Sequence, residues 1–185
     1  MEHWQQELRD TIRTLEELQI RIPSLPMEEL RAVVKDMRLA ITPHSAKLID
    51  FQNPEDPLLK ICVPHTRELL ITPEELVDPI GDEAKSPIPY LTHRYPDRVL
   101  LYATFFCALS CRFCFRRFKT GQVTPGPTAQ DLDRIVQYLN EHPELDEIIL
   151  TGGDPLTLVD THLEALFQRI RSVPTITRLR IHTRV

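Results

Sequence analysis

Cys107, Cys111 and Cys114 stand at the spacing C-x3-C-x2-C in the run Cys107-Ala108-Leu109-Ser110-Cys111-Arg112-Phe113-Cys114. Three thiolates on so short a loop suit three corners of a cubane iron–sulfur cluster. A cluster that only transfers electrons normally has a fourth cysteine, so three ligands leave one iron open, as catalytic metal sites leave a position for substrate. A zinc knuckle is the competing chemistry. It wants a fourth ligand at short range, and no His or Cys follows Cys114 before His142, which lies on a helix face. A disulfide does not suit a chain whose start lacks an export signal. Cys62, in Ile61-Cys62-Val63-Pro64, reads as a small core residue, with a fourth cluster ligand as the lesser reading.

A second group is Thr151-Gly152-Gly153-Asp154-Pro155, which follows an apolar run. Glycines there allow positive φ and close approach of the backbone to a ligand. A plain tight turn would use the same letters. Glycine is scarce, however, at 5 in the chain, and this turn would share a face with the cysteine loop. The basic residues of His93-Arg94-Tyr95-Pro96-Asp97-Arg98 and the pair Arg116-Arg117 form a third group. Arginine forks suit phosphate and carboxylate. From the residues alone, surface ion pairs such as Asp97 with a neighbouring arginine are the better reading.

The elements that must hold these residues follow from periodicity. Trp4, Leu8, Ile12, Leu15, Leu18 and Ile22 recur at three and four, as on one face of a first helix, which Pro23 and Pro26 end. Leu30, Val33, Val34 and Met37 line a second. Thr42-Pro43 and Thr72-Pro73 each look like an N-cap with proline at the first helical position, and Thr72 with Glu75 fits a capping box. The stretch from Asp78 to Pro96, with Pro79, Pro87, Pro89 and Pro96, reads as an extended linker or lid. Beyond it the pattern changes to strand Val99–Thr104, a helix capped by Thr128 with Leu132, Ile135, Val136 and Leu139 on its face, and strand Ile148–Thr151. A helix with Leu163, Leu166, Phe167 and Ile170 and a strand with Leu179 and Ile181 follow. Strands alternating with helices signal parallel βα units. The longest interval, Phe105 to Pro127, holds the cysteines, and loops after strand C-termini build the sites of such folds. Three strands do not close a barrel, which implies a piece of a longer protein.

Composition narrows the function classes. The 185 residues are 42% hydrophobic and 26% charged, with 22 Lys+Arg against 27 Asp+Glu and a net charge of -5. These values exclude a disordered tail, a fibre or a disulfide miniprotein. The acidic balance without a basic run argues against nucleic acid as the main partner. No apolar stretch approaches the roughly 20 residues of a membrane helix, and Met1–Glu7 lacks the basic start and apolar core of a signal peptide. A soluble cytoplasmic protein without a membrane partner is expected.

With those residues in view, the chain resembles the radical S-adenosylmethionine (SAM) enzymes and, within them, the lysine 2,3-aminomutase family. The cysteine run with Phe113 carries the broader likeness. Leu91 through Leu100, Cys111-Arg112-Phe113-Cys114-Phe115-Arg116-Arg117 and Thr151 through Leu156 carry the narrower one, which is strong from Asp78 onward and weak over the first 40 residues. The resemblance implies an α/β fold: a partial (β/α) radical SAM barrel of about three βα units preceded by an N-terminal helical region. The expected division is residues 1–77 helical, 78–98 a Pro-rich linker holding the HRYPDR motif, and 99–185 the first part of the barrel.

It also implies a [4Fe-4S] cluster on Cys107, Cys111 and Cys114, with the open iron chelated by the amino and carboxyl groups of SAM. Phe113 would lie near the adenine, and Gly152, Gly153 and Asp154 would contact the SAM amino group. Pyridoxal phosphate (PLP) would be held through its phosphate by Arg94, Tyr95 and Arg98, and the substrate carboxylate by Arg116. The implied reaction moves the α-amino group of L-lysine to C3, making the enzyme an isomerase with a small amino-acid substrate. A reductant such as flavodoxin or ferredoxin is implied, and a homo-oligomer at full length. Cofactors do the hard chemistry in such enzymes and the protein positions them.

The departure from the family is an absence. Lys35, Lys47, Lys60, Lys85 and Lys119 match no position of the family's PLP lysine, so no catalytic residue is assigned, and the piece is expected to lack mutase activity alone. Phe115 and His142-Pro143-Glu144-Leu145-Asp146-Glu147 resemble the relatives that make (R)-β-lysine for elongation factor P, whereas HRYPDR resembles the catabolic mutases. Glutamate- and arginine-specific mutases stay open too. The reading from a different class is a zinc-binding interaction module.

Overall fold

The computed structural model describes residues 3–120 and 126–185. Among them are two compact units that are not consecutive in the chain: one within Met1–Val77 and Ala108–Gly121, the other within Asp78–Cys107 and Gln122–Val185.

The first unit is helical. It holds α1 (His3–Arg9), α2 (Leu15–Gln19), α3 (Met27–Asp36), α4 (Pro43–Leu48) and α5 (Pro57–Cys62), with a 3-10 turn at Thr66–Leu69. The single first helix expected across Trp4–Ile22 is instead α1 and α2 with a break between them. Thr14 is extended and accepts from Glu17 N–H, while the Glu17 side chain accepts from the backbone of Arg13 and Thr14. That capping box starts a new helix, and just before it Ile12 bridges Ile41 by two backbone hydrogen bonds. A residue paired in this way has its backbone groups committed outside any helix. Thr42 caps α4 with Pro43 behind it, as the sequence suggests. Thr72 starts no helix; only its N–H reaches Glu75, in a turn. Leu18, Leu39, Ile41, Ile49, Cys62 and Val63 form one buried cluster, which places Cys62 in the core, and Leu15, Leu30 and Val33 form another.

The second unit is a four-stranded sheet with helices against it. The strands are β1 (Leu91–Tyr95), β2 (Arg98–Thr104), β3 (Glu147–Gly152) and β4 (Arg178–Ile181), in the order β1-β2-β3-β4. β2, β3 and β4 are parallel, joined by α6 (Ala129–Glu141) and α7 (Asp160–Arg171). These are the βα units that the alternation of elements implies. β1 adds to them: the latter half of the Pro-rich stretch turns back at Pro96-Asp97 and pairs antiparallel with β2. Thr128 and Asp131 form a reciprocal capping box that fixes the start of α6. Val99, Leu101 and Ala103 pack with Ile135, Leu139, Ile148, Leu150, Leu166 and Ile170 in a single core. Side chains alternate along a strand, so Arg98, Leu100, Tyr102 and Thr104 point to the face away from that core. No helix among the described residues is long and apolar enough to cross a membrane.

Candidate functional site

The cysteine loop begins where β2 ends. Phe106 N–H donates to Thr104 Oγ1 at 3.1 Å, and Cys107 follows. At Ala108 the chain passes into the helical unit. There Ser110 N–H donates to Ala40 O at 3.0 Å and Arg112 N–H to Ile61 O at 2.8 Å. Cys114 N–H donates to Cys111 O at 2.9 Å, so a tight turn spans the second and third cysteines. Cys107, Cys111 and Cys114 are half-buried and joined in no disulfide. Among the described residues, no three His, Cys, Asp or Glu side chains converge as a ready-made metal site. The three sulfurs are thus gathered by sequence on one loop, and their donor chemistry fits iron–sulfur ligation, which takes soft thiolates.

Arg112, inside the motif, has its side chain buried. Its Nε and Nη2 donate to the two carboxylate oxygens of Glu68 at 3.0 and 2.7 Å, and Nη1 donates to Met37 O and Arg38 O at 3.2 and 3.1 Å. Phe113 points out, 62% exposed. The Arg116 guanidinium lies over the Phe115 ring at 4.4 Å, and that of Arg117 reaches Glu75 at 4.0 Å.

The glycine turn lies at the end of β3, next to β2. Gly152 has φ +114, in the region that glycine tolerates. Gly153 N–H donates to Thr104 O at 2.6 Å and Asp154 N–H to Phe106 O at 2.7 Å. A Cβ on Gly153 would lie 2.0 Å from Phe106 O, and one on Gly152 2.3 Å from Thr104 O. The close approach that demands glycine here is therefore to the segment leading into Cys107. The Asp154 carboxylate, largely buried, accepts from Leu156 N–H at 3.0 Å, Thr183 Oγ1 at 2.7 Å and Arg184 N–H at 2.7 Å.

The basic residues of the hairpin lie at the opposite end of β2. Arg94 pairs with buried Asp82 at 3.1 Å and also donates to Ile80 O. Asp82 accepts from Tyr102 OH at 3.1 Å, and that hydroxyl lies within hydrogen-bonding distance of Thr92 Oγ1 at 2.8 Å. Arg98 forks onto Asp97 at 2.9 and 2.6 Å, the neighbouring ion pair that the sequence suggests. That contact lowers the Asp97 pKa and raises that of Arg98. Tyr95 is exposed, with the Arg98 guanidinium 5.9 Å from its ring centre. Six steps along the strand, roughly 20 Å at about 3.3 Å each, separate Arg98 from Thr104. The structure thus brings Gly152, Gly153 and Asp154 to the approach of Cys107, and sets Arg94, Tyr95 and Arg98 at the other end of the strand.

His142, the nearest conceivable extra ligand by sequence, stacks on Tyr138 at 3.9 Å, and its Nδ1 is 2.8 Å from Tyr138 O. Glu68, Asp82 and the carbonyls of Thr104 and Phe106 escape sequence reasoning, since each acts on residues distant in the chain or through its backbone.

Residues 101–184 match the family described as the Radical SAM superfamily. The chain is similar there to radical SAM proteins and, over nearly its whole length, to lysine 2,3-aminomutases. It is 39% identical over 184 residues to the L-lysine 2,3-aminomutase of Acetoanaerobium sticklandii, covering 98% of this chain and 44% of that protein. Against the L-lysine 2,3-aminomutase of Bacillus subtilis it is 39% identical over 183 residues, 98% of this chain and 39% of the relative. The glutamate 2,3-aminomutase of Clostridioides difficile is 34% identical over 182 residues, again 98% of this chain and 43% of the other. The chain therefore spans about half the length of the curated relatives it matches. The radical SAM match begins inside β2 and takes in the cysteine loop and the glycine turn.

Proposed function

We propose that this chain carries the cluster and SAM sites of a PLP-dependent 2,3-aminomutase acting on an amino acid, with L-lysine as substrate. The observation that carries the reading is the cysteine triplet: three half-buried thiols, joined in no disulfide, at C-x3-C-x2-C on the loop after the first parallel strand. Cys107, Cys111 and Cys114 would bind three irons of a [4Fe-4S] cluster. When bound, the cluster supplies the electron that cleaves SAM to a radical able to take hydrogen from substrate carbon. Phe113, exposed beside Cys114, offers a ring face to the adenine. Gly152, Gly153 and Asp154 would contact the SAM amino group from a turn that packs on Thr104 O and Phe106 O and that Asp154 ties to Thr183 and Arg184. Arg94, Tyr95 and Arg98 would hold the PLP phosphate, and Arg116, stacked on Phe115, the substrate carboxylate. Arg94 and Arg98 would exchange Asp82 and Asp97 for the phosphate, and a fork suits either anion. The glutamate 2,3-aminomutase relative keeps glutamate as the second substrate reading. A cytoplasmic location, a flavodoxin- or ferredoxin-type reductant and a homo-oligomer belong to the same proposal.

Anaerobic reconstitution tests it. About four irons per chain are expected, with an EPR signal of the reduced cluster that changes when SAM is added. Cys111→Ala should abolish iron binding. Stoichiometric zinc without such a signal would overturn the reading in favour of a zinc module. Supplying L-lysine or L-glutamate to the full-length protein and identifying the β-amino acid and its chirality would fix the substrate.

A further inference from the structure

We infer that Arg112 and Glu68 are positioning residues for the cluster loop, acting through the Cys111–Cys114 turn. The inference rests on the cluster reading above. Arg112 lies between the two cysteines, yet its side chain turns away from the thiols into the helical unit, where only 5% of it is exposed. Four of its contacts are to distant chain: both oxygens of Glu68 and the carbonyls of Met37 and Arg38. Its own N–H is held by Ile61 O, and that of Ser110 by Ala40 O. The loop carrying Cys111 and Cys114 is thereby fixed to three separate parts of the helical unit: the segment after α3, the end of α5, and the 3-10 turn of Glu68.

The chemistry explains why arginine stands there. A guanidinium is a planar fork that meets a carboxylate with two parallel hydrogen bonds and still has Nη1 for carbonyls. Lysine would satisfy one partner at a time. Glu68 is itself braced, because its side chain accepts from His65 N–H at 2.9 Å in the box that starts its 3-10 turn. The pair therefore transmits the rigidity of the helical unit to two thiolates, as groups behind metal ligands orient those that touch the metal.

The test compares Arg112→Lys and Glu68→Gln with the wild-type protein, and uses Glu55→Gln, which breaks the exposed Lys60–Glu55 pair of the same unit, as control. After anaerobic reconstitution, both variants should lose iron to a chelator about 10-fold faster or more, with the control unchanged. In the metal-free protein, alkylation by iodoacetamide should speed up at Cys111 and Cys114 more than at Cys107, with the far-UV spectrum retained. Iron loss within twofold of wild type, or equal acceleration at all three cysteines, overturns the inference. Should Arg112→Lys fail to fold, Glu68→Gln carries the same comparison, since it removes charge and keeps shape. If the wild-type protein takes up no iron, the cluster reading fails, and the alkylation pattern still decides whether Arg112 and Glu68 hold the turn.

Discussion

The loops that leave β2 and β3 are neighbours at the C-terminal ends of parallel strands, but they are held by opposite means. The β3 loop is fixed by what glycine lacks. Gly152 and Gly153 have no Cβ, so their backbone comes within hydrogen-bonding distance of Thr104 O, and Asp154 ties the turn to Thr183 and Arg184. The β2 loop is fixed by what arginine has. Beyond Cys107 it is set by the fork of Arg112 on Glu68, 44 residues earlier. The first device belongs to the sheet and its connections. The second brings order in from helices that form no part of the sheet. A chain can therefore fix one loop through steric permission and another through a buried ion pair.

That contrast can be broken experimentally, and the largest effect belongs to the glycine turn. Gly153→Ala forces a methyl to within 2.0 Å of the Phe106 carbonyl, and neither atom can rotate away. A loss of about 3 kcal/mol is expected by urea unfolding; a near-neutral result would mean that the turn is not sterically set. Asp154→Asn keeps the shape but removes the charge that three donors share, and should cost about 2 kcal/mol. Glu68→Gln should cost about 1–2 kcal/mol by weakening the Arg112 fork, smaller because Glu68 is partly hydrated. If Glu68→Gln proved costlier than Gly153→Ala, the imported anchor would be the stronger of the two.

The smallest effect is one of pH. Backbone hydrogen bonds from Arg13 and Thr14 hold the Glu17 carboxyl below its ordinary value of 4.5. A depressed pKa in the folded state means that the capping box contributes fully above that value. The contribution is lost as pH falls through the folded pKa. The carboxylate is largely exposed, so the gain is screened to about 0.5 kcal/mol. Amide protection factors in α2, taken relative to the intrinsic rate at each pH, should fall below pH 4.5 in the wild-type protein and respond less to pH in Glu17→Gln.

Much of the sheet unit was legible. β2 and β3 are largely apolar runs, β4 alternates arginine with Leu179 and Ile181, and Thr128 caps the first helix. The helical unit was harder, and two similar signals show why. Thr14 with Glu17 and Thr72 with Glu75 have the same spacing, yet only the first starts a helix. Leu15 and Leu18 are buried after Thr14, whereas Leu76 and Val77 are 66% and 71% exposed after Thr72. A cap satisfies free N–H groups, but a short helix also needs a face to bury. β1 was hidden by its prolines, which mark an extended chain without saying whether it finds a partner strand. The ion pairs of Arg94 and Arg98 were also half legible, since Asp97 adjoins Arg98 in the chain but Asp82 lies 12 positions before Arg94.

By itself, the sequence determined the kind of chemistry: three thiols on one loop, two glycines after an apolar strand, and a βα alternation that puts both at strand ends. These follow from residue type and local spacing, which act over one turn or one strand. Only the tertiary structure decided that Arg112 forks onto Glu68 of the helical unit, that the glycines answer to Thr104 and Phe106, and that the HRYPDR hairpin sits at the far end of β2. Such outcomes depend on which distant groups reach a buried donor first, because a buried polar group must be paired. No local pattern records that partner.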